Sequence, residues 1–111
     1  AGVRRECRRA LAVLGGDKYR PVLHRILLDE PNKKYRLEVA ELIEDNPLPV
    51  DSSALVDALD DPYSKIAKTA AKSLVKLGDK SVAPILREKA LETTDRGLAE
   101  EFSAAASLLE G

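Results

Sequence analysis

IAKTAAKSLVKLG, residues 66–78, aligns without a gap with VRRECRRALAVLG, residues 3–15. In both segments apolar residues recur at steps of three and four, as on one face of an amphipathic helix, and a glycine follows the last apolar residue as a stop signal. Such self-similarity at a fixed spacing indicates a chain built of helical repeats.

Intermediate copies give this repeat a period of 31 to 32 residues. The segment 29–31, Asp-Glu-Pro, matches 60–62, Asp-Asp-Pro. Three apolar columns run through the copies: Tyr35, Ile66 and Leu98; Cys7, Val39, Ala70 and Phe102; and Leu11, Ile43, Leu74 and Ala106. Because these columns fall on the apolar face of each helix, they predict the core, and we expect Leu74, Leu77 and Leu86 to be fully buried.

Glycine and proline divide each period into two helices. Pro21 and Pro84 stand where a helix can begin, since its first turn needs no backbone N–H, and Gly15 and Gly78 stand where one can end. The predicted helices span about 2–14, 19–29, 33–45, 51–60, 64–77, 80–92 and 95–110.

Composition and charge narrow the class of protein. The chain has 111 residues, a single cysteine and no apolar run near the roughly 18–20 residues of a membrane span. We therefore expect one all-α, cytoplasmic domain that contacts no membrane. Residues 1–40 hold ten basic and five acidic side chains, a net +5, whereas residues 41–111 hold eight basic and fourteen acidic ones, a net −6. This asymmetry is typical either of a surface that meets charged partners or of simple solvation.

The motifs in residues 61–66, 77–79 and 82–86 resemble the HEAT-like repeat of the phycobilisome-lyase type, whose pattern runs Asp-Pro, a Val-Arg-x-x-Ala-Ala-x-x-Leu helix, Leu-Gly-Asp and then Ala-Val-Pro-x-Leu. The resemblance covers nearly the whole chain. It implies a right-handed α-solenoid, an alpha-alpha superhelix of HEAT-like helical hairpins. Such repeats occur in many unrelated roles, so the resemblance specifies the fold far better than the function.

Two features depart from that family pattern. Its arginine after the first apolar residue is present as Arg4 and Arg36 but is replaced by Ala67 and Ala99. Asn46-Pro47 replaces the expected Gly-Asp, which predicts an irregular joint between the second and third helix pairs.

The domain is expected to span 1–111, as a half repeat at 1–16 followed by repeats at about 17–46, 47–78 and 79–111. The first predicted helix matches the second helix of a pair, and Ala1 stands where an initiator methionine would be. Two interpretations stay open: a piece of a longer solenoid, which we favour, or a half repeat that caps the core with an arginine-rich face.

Catalytic, metal and cofactor sites are not expected. The only histidine, His24, is interpreted as a solvated surface residue, and Cys7 as a small core residue. The segment 15–18, Gly-Gly-Asp-Lys, lacks the spacing of a phosphate-binding loop. We expect the protein not to be an enzyme.

Basic residues on the second helix of each pair form the one candidate binding surface. In solenoids that this chain resembles, these helices line the concave side. The candidate residues are Arg5, Arg8, Arg9, Lys65, Lys68, Lys72 and Lys76. The four lysines recur at steps of three and four and therefore form one ridge.

Three functions are compatible with this surface. The preferred one is a scaffold or adaptor that binds a protein partner. The alternative is binding of nucleic acid or another polyanion, although a pI near 5.9 is low for such a domain. The third, drawn from the phycobilin lyases that share these repeats, is an accessory subunit of a lyase-like enzyme. A charged face that serves only solvation remains the simplest reading of the ridge.

Overall fold

The computed structural model describes residues 20–111, and this part of the chain is all-helical, with no β-strand. Its helices are α1 Arg20–Asp29, α2 Lys33–Asp45, α3 Ser52–Ala58, α4 Ser64–Leu77, α5 Ala83–Glu92 and α6 Arg96–Glu110. Short 3₁₀ helices, Pro49–Asp51 and Lys80–Val82, lead into α3 and α5. None of the helices from α1 to α6 is long and apolar enough to cross a membrane.

The predicted helices at 33–45 and 64–77 are confirmed at both ends, and those at 51–60, 80–92 and 95–110 are confirmed with small shifts. The predicted helix at 19–29 is confirmed from Arg20 onward, and the one at 2–14 lies outside the described residues. Of the predicted signals, Pro84 lies in the first turn of α5 and Gly78 ends α4, whereas the caps of α2 and α6 were not predicted. The side chains of Asn32 and Asp95 accept backbone N–H bonds at the start of α2 and α6. Gly78 ends α4 with a φ of 71°, a left-handed conformation that suits glycine.

The helices pack in consecutive pairs. Helices α1 and α2 form hairpin 1, α3 and α4 form hairpin 2, and α5 and α6 form hairpin 3. The second helices of the hairpins also pack on one another, since α4 contacts both α2 and α6. Helix α4 therefore lies at the centre of the described part of the chain.

The apolar columns of the sequence form the core between these helices. Leu74 and Leu86 are completely buried, as predicted, and so are Val39 and Ala70, while Phe102 is 1% exposed. The prediction for Leu77 is wrong. That side chain is only half-buried, because it belongs to the last turn of α4, where the chain turns into the exposed Gly78.

A nearly buried ion pair ties hairpin 1 to hairpin 2. The guanidinium of Arg36, in α2, binds both carboxylate oxygens of Asp61, with Nε–Oδ2 at 2.9 Å and NH2–Oδ1 at 3.2 Å. The same guanidinium donates to the main-chain oxygens of Glu30 and Pro31 at 2.7 and 3.2 Å. We call this set of contacts the Arg36 bridge. It joins the loop inside hairpin 1 to the loop inside hairpin 2.

The joint between hairpins 2 and 3 has no such bridge. Counting from the start of the second helices, Ala67 stands where Arg36 would be, and Thr93 stands where Asp61 would be. Thr93 makes one of the hydrogen bonds that Asp61 makes, since each side chain accepts the backbone N–H two residues further along the chain. It lacks the charge. An exposed pair, Lys89 Nζ to Asp60 Oδ1 at 2.6 Å, spans this joint instead.

The irregular joint predicted at Asn46-Pro47 is confirmed. Three residues, Asn46 to Leu48, separate α2 from the 3₁₀ helix Pro49–Asp51, and Asn46 has a φ of −151° where Gly78 has one of 71°. By contrast, only Gly78 and Asp79 separate α4 from the next 3₁₀ helix.

Candidate functional site

The four predicted lysines lie along one side of α4, as their spacing required, but their environments differ. Lys65, Lys72 and Lys76 are exposed, whereas Lys68 is half-buried. The buried positions of α4 include Ile66, Ala67, Ala70, Ala71 and Leu74, which occupy the opposite side of the helix. The four lysines therefore form the predicted continuous ridge along α4, in which Lys68 is less exposed than the other three.

One of the lysines has polar partners within the molecule, and a second lies against the start of α6 without one among the described residues. Lys76 Nζ donates to the main-chain oxygen of Glu44 at 2.8 Å and lies 3.5 Å from its carboxylate oxygen Oε2. Lys68 Nζ lies 3.7 Å from the position that a Cβ on Gly97 would occupy, so this lysine extends over the first turn of α6. Both contacts connect α4 to its neighbouring second helices.

Lys65 and Lys72 keep their charges available. Neither ammonium group has a hydrogen-bond or ion-pair partner within residues 20–111. Lys72 is the better placed of the two, because it borders a groove between α4 and α6 of about 280 Å³. The groove and its available charge together make this the most promising binding feature on the second-helix side of the described chain.

The groove has an apolar floor and a charged rim. Its floor comprises Val75, Ala104, Ala105 and Leu108, and its rim comprises Glu44, Lys72, Lys76 and Glu101. Leu108 is 69% exposed and lies to one side of the buried stripe of α6, which comprises Leu98, Phe102, Ala105, Ala106 and Leu109. We call this feature the α4–α6 groove. The lysine spacing predicted Lys72 and Lys76 at this surface, whereas Leu108 and Glu101 were not predicted. The one feature of the sequence that could have indicated this surface is Leu108, a leucine outside the apolar columns of the repeat.

The predicted arginines cannot be placed on this surface. Arg5, Arg8 and Arg9 all lie outside the described residues, as does the core candidate Cys7. The structure therefore brings together the lysine half of the predicted candidate surface, and the arginine half stays a prediction.

The interpretation of His24 as a solvated surface residue is wrong. Its side chain is 19% exposed, and its Nε2 lies 2.6 Å from Oδ1 of the completely buried Asp51. Asp51 also accepts the Leu48 N–H at 2.9 Å and lies 3.5 Å from the guanidinium of Arg20. Arg20 is itself 1% exposed and donates to the Asn46 main-chain oxygen at 2.8 Å. This cluster fastens α1 to the irregular joint, so its role is structural.

Ion pairs away from the groove shift the pKa values of their members. Arg87 donates from Nε and NH2 to the two carboxylate oxygens of Glu110 at 2.9 and 2.6 Å. These hydrogen bonds lower the pKa of Glu110 and raise that of Arg87. The bond from Lys89 to Asp60 likewise raises the pKa of Lys89. No group of three or more His, Cys, Asp or Glu side chains in residues 20–111 is arranged to hold a metal ion.

A sequence model of the family of HEAT repeats matches residues 21–107, which is most of the chain. The chain therefore belongs to the HEAT repeat family. No curated protein and no solved structure shows a significant match to it.

Proposed function

We propose that this protein is a non-enzymatic scaffold or adaptor that binds a protein partner in the α4–α6 groove. The observation that carries the proposal is the apolar floor of the groove beside the ammonium of Lys72, which has no hydrogen-bond or ion-pair partner within residues 20–111. Membership of the HEAT repeat family supports it, because proteins built of such repeats commonly use extended surfaces to bind other proteins.

The proposed architecture is a right-handed α-solenoid that spans residues 1–111, with a half repeat at 1–16 and repeats at about 17–46, 47–78 and 79–111. The packing of α2, α4 and α6 on one another supports this architecture, with those helices on the concave side. The assignment of the repeats to the phycobilisome-lyase type, and a place in the cytoplasm, belong to the same proposal.

The chemistry of the groove specifies the partner. An apolar side chain would cover Leu108 and Val75, and burying apolar surface is favourable by about 25 cal/mol per Å². A neighbouring carboxylate would pair with Lys72, whose charge is otherwise unsatisfied within the described residues. The proposed ligand is therefore a segment of a protein that carries an aspartate or glutamate next to a large apolar residue.

The rim of the groove favours a protein over a nucleic acid. Glu44 holds Lys76, and Glu101 adds a further carboxylate, so the rim carries both signs of charge. A phosphate backbone needs several cations in a row, whereas a mixed rim around an apolar floor resembles protein interfaces. The remaining candidate residues, Lys65, Lys68, Arg5, Arg8 and Arg9, would extend the contact beyond the groove.

Selection of short random peptides displayed on phage tests the proposal. The chain is the bait, and the double variant Lys72→Glu/Leu108→Asp removes peptides that bind elsewhere. Both substituted residues are exposed, so the variant should fold. We expect the surviving peptides to combine acidic and large apolar residues. If the double variant removes every peptide that the parent chain enriches, the proposal is contradicted. Tight binding of a DNA duplex that weakens steeply with added salt favours the polyanion alternative.

A further inference from the structure

A cleft of about 340 Å³ opens at the joint between hairpins 2 and 3. The loops inside the two hairpins form its rim, and its lining includes Asp60, Asp61, Pro62, Lys89, Thr93 and Asp95. Its volume lies within the range of about 300–1,000 Å³ that is typical of ligand pockets. The proposed partner-binding groove shares none of these residues.

The joint between hairpins 1 and 2 shows which group the equivalent loop positions bind when an arginine is present. There the guanidinium of Arg36 donates to the main-chain oxygens of Glu30 and Pro31 and to the carboxylate of Asp61. The arginine is 12% exposed, so the ring of acceptors around it is nearly closed. A guanidinium group is therefore the native occupant at this position of the repeat.

At the cleft, most acceptors remain but the guanidinium is missing. The main-chain oxygens of Asp61 and Pro62 are the counterparts of those of Glu30 and Pro31. Within the described residues they accept no hydrogen bond, because Ala67 supplies no donor in place of Arg36. Backbone oxygens in such a place are satisfied by water or by a ligand.

The side chains around the cleft suit a cation with an apolar stem. The lining holds four acidic residues. Arg36 binds the carboxylate of Asp61 and Lys89 that of Asp60, which leaves the carboxylates of Glu92 and Asp95 for a further cation. Asp95 uses Oδ1 to cap α6, which leaves Oδ2 available. Leu98 and Phe102 contribute apolar surface against which the methylene groups of a long side chain can pack.

We propose that this cleft binds the side chain of an arginine presented by a protein partner, which completes in trans the bridge that Arg36 forms in cis. Arginine fits better than lysine, since its planar fork can donate to two carbonyl oxygens and a carboxylate at once. The inference names a second contact of the scaffold with its partner and thus rests on the proposed function. The cleft itself can be tested without that partner.

The test is an NMR titration of the ¹⁵N-labelled chain with the capped tripeptide acetyl-Gly-Arg-Gly-amide. We expect saturable shifts of the backbone amides of residues 60–61, 63–64 and 93–95. The same peptide with citrulline, which keeps the shape of arginine but lacks its charge, should produce none. Equal shifts with both peptides, or shifts confined to the α4–α6 groove, would overturn the proposal. Free L-arginine should bind more weakly, because its carboxylate meets an acidic rim, and tighter binding of free arginine would overturn the assignment to a protein partner.

Two substitutions of the half-buried Thr93 give opposite expectations at one position. Thr93→Asp restores the charge of the missing bridge and should tighten binding of the arginine peptide on the order of tenfold. Thr93→Arg supplies a guanidinium in cis and should abolish binding. If both variants fold, as seen from their dispersed spectra, and both bind like the parent, the cleft is not the site. Lys72→Glu should leave this titration unchanged, which separates a failure of the cleft from a failure of the groove.

Discussion

Arg36 and Asp61 form a two-pronged ion pair across 25 residues of sequence, with Nε–Oδ2 at 2.9 Å and NH2–Oδ1 at 3.2 Å. The arginine is 12% exposed and the aspartate 8%, so water screens the pair only weakly. Of the two joints between consecutive hairpins in residues 20–111, only the joint between hairpins 1 and 2 has such a two-pronged ion pair.

The Arg36 bridge should contribute strongly to stability. Arg36→Ala leaves Asp61 nearly buried without its cation and the Glu30 and Pro31 oxygens without their donor. We expect the free energy of unfolding to fall by about 3 kcal/mol, measured by urea denaturation. Arg36→Lys should recover only part of this loss, because an ammonium group cannot bind both carboxylate oxygens in the same way. A loss below 0.5 kcal/mol for Arg36→Ala would show that the bridge is incidental.

Leu74 should be among the most sensitive positions of the core. It is completely buried in the second half of α4, the helix that packs on both α2 and α6. Leu74→Ala should lower the free energy of unfolding by roughly 2–5 kcal/mol through the cavity that it leaves. Leu91→Ala is the matched control, since Leu91 is 88% exposed and its loss should cost little. Similar losses for the two variants would contradict the packing described above.

Asp51 should matter more than His24 at the irregular joint. Asp51→Ala leaves Arg20 as a buried charge without its carboxylate and should lower the free energy of unfolding by roughly 3–5 kcal/mol. His24→Ala removes one half-buried partner and should cost less. Thermal unfolding of both variants provides the comparison, and a larger loss for His24→Ala would contradict the assignment of Asp51 as the centre of the cluster.

The pKa of Glu110 should depend on Arg87. Because the carboxylate form receives the guanidinium hydrogen bonds, the folded-state pKa lies below the ordinary value of about 4.3. The stabilisation from this pair is therefore present above that ordinary value and is lost as pH falls through the lower folded-state pKa. NMR titration of the side-chain carboxyl carbon should show the pKa rising toward the ordinary value in Arg87→Ala. An unchanged pKa would mean that the pair does not form in solution.

The sequence predicted the repetitive part of this fold well and the exceptions poorly. The apolar spacing of residues 66–74 and the stop at Gly78 are local signals, and they predicted α4 with both of its ends. The pairing of His24 with Asp51 spans 27 residues across an irregular joint, so no local pattern revealed it. The cleft lies where Ala67 has no guanidinium to bind the loop oxygens and Thr93 has no carboxylate to pair with one. The sequence showed the missing arginine, but only the three-dimensional alignment of the loops showed that its carboxylate partner is missing as well.

The affinity of the Lys72→Glu variant for a peptide selected on the parent chain tests the central claim most directly. Isothermal titration calorimetry supplies the Kd, with Lys80→Glu as a control that makes the same charge change at an exposed position outside the groove. A carboxylate that pairs with Lys72 would face a like charge in the variant, so we predict a Kd at least about tenfold weaker for Lys72→Glu and unchanged for Lys80→Glu. An acidic, apolar peptide that binds Lys72→Glu as tightly as the parent would contradict the assignment of the α4–α6 groove as the partner-binding site.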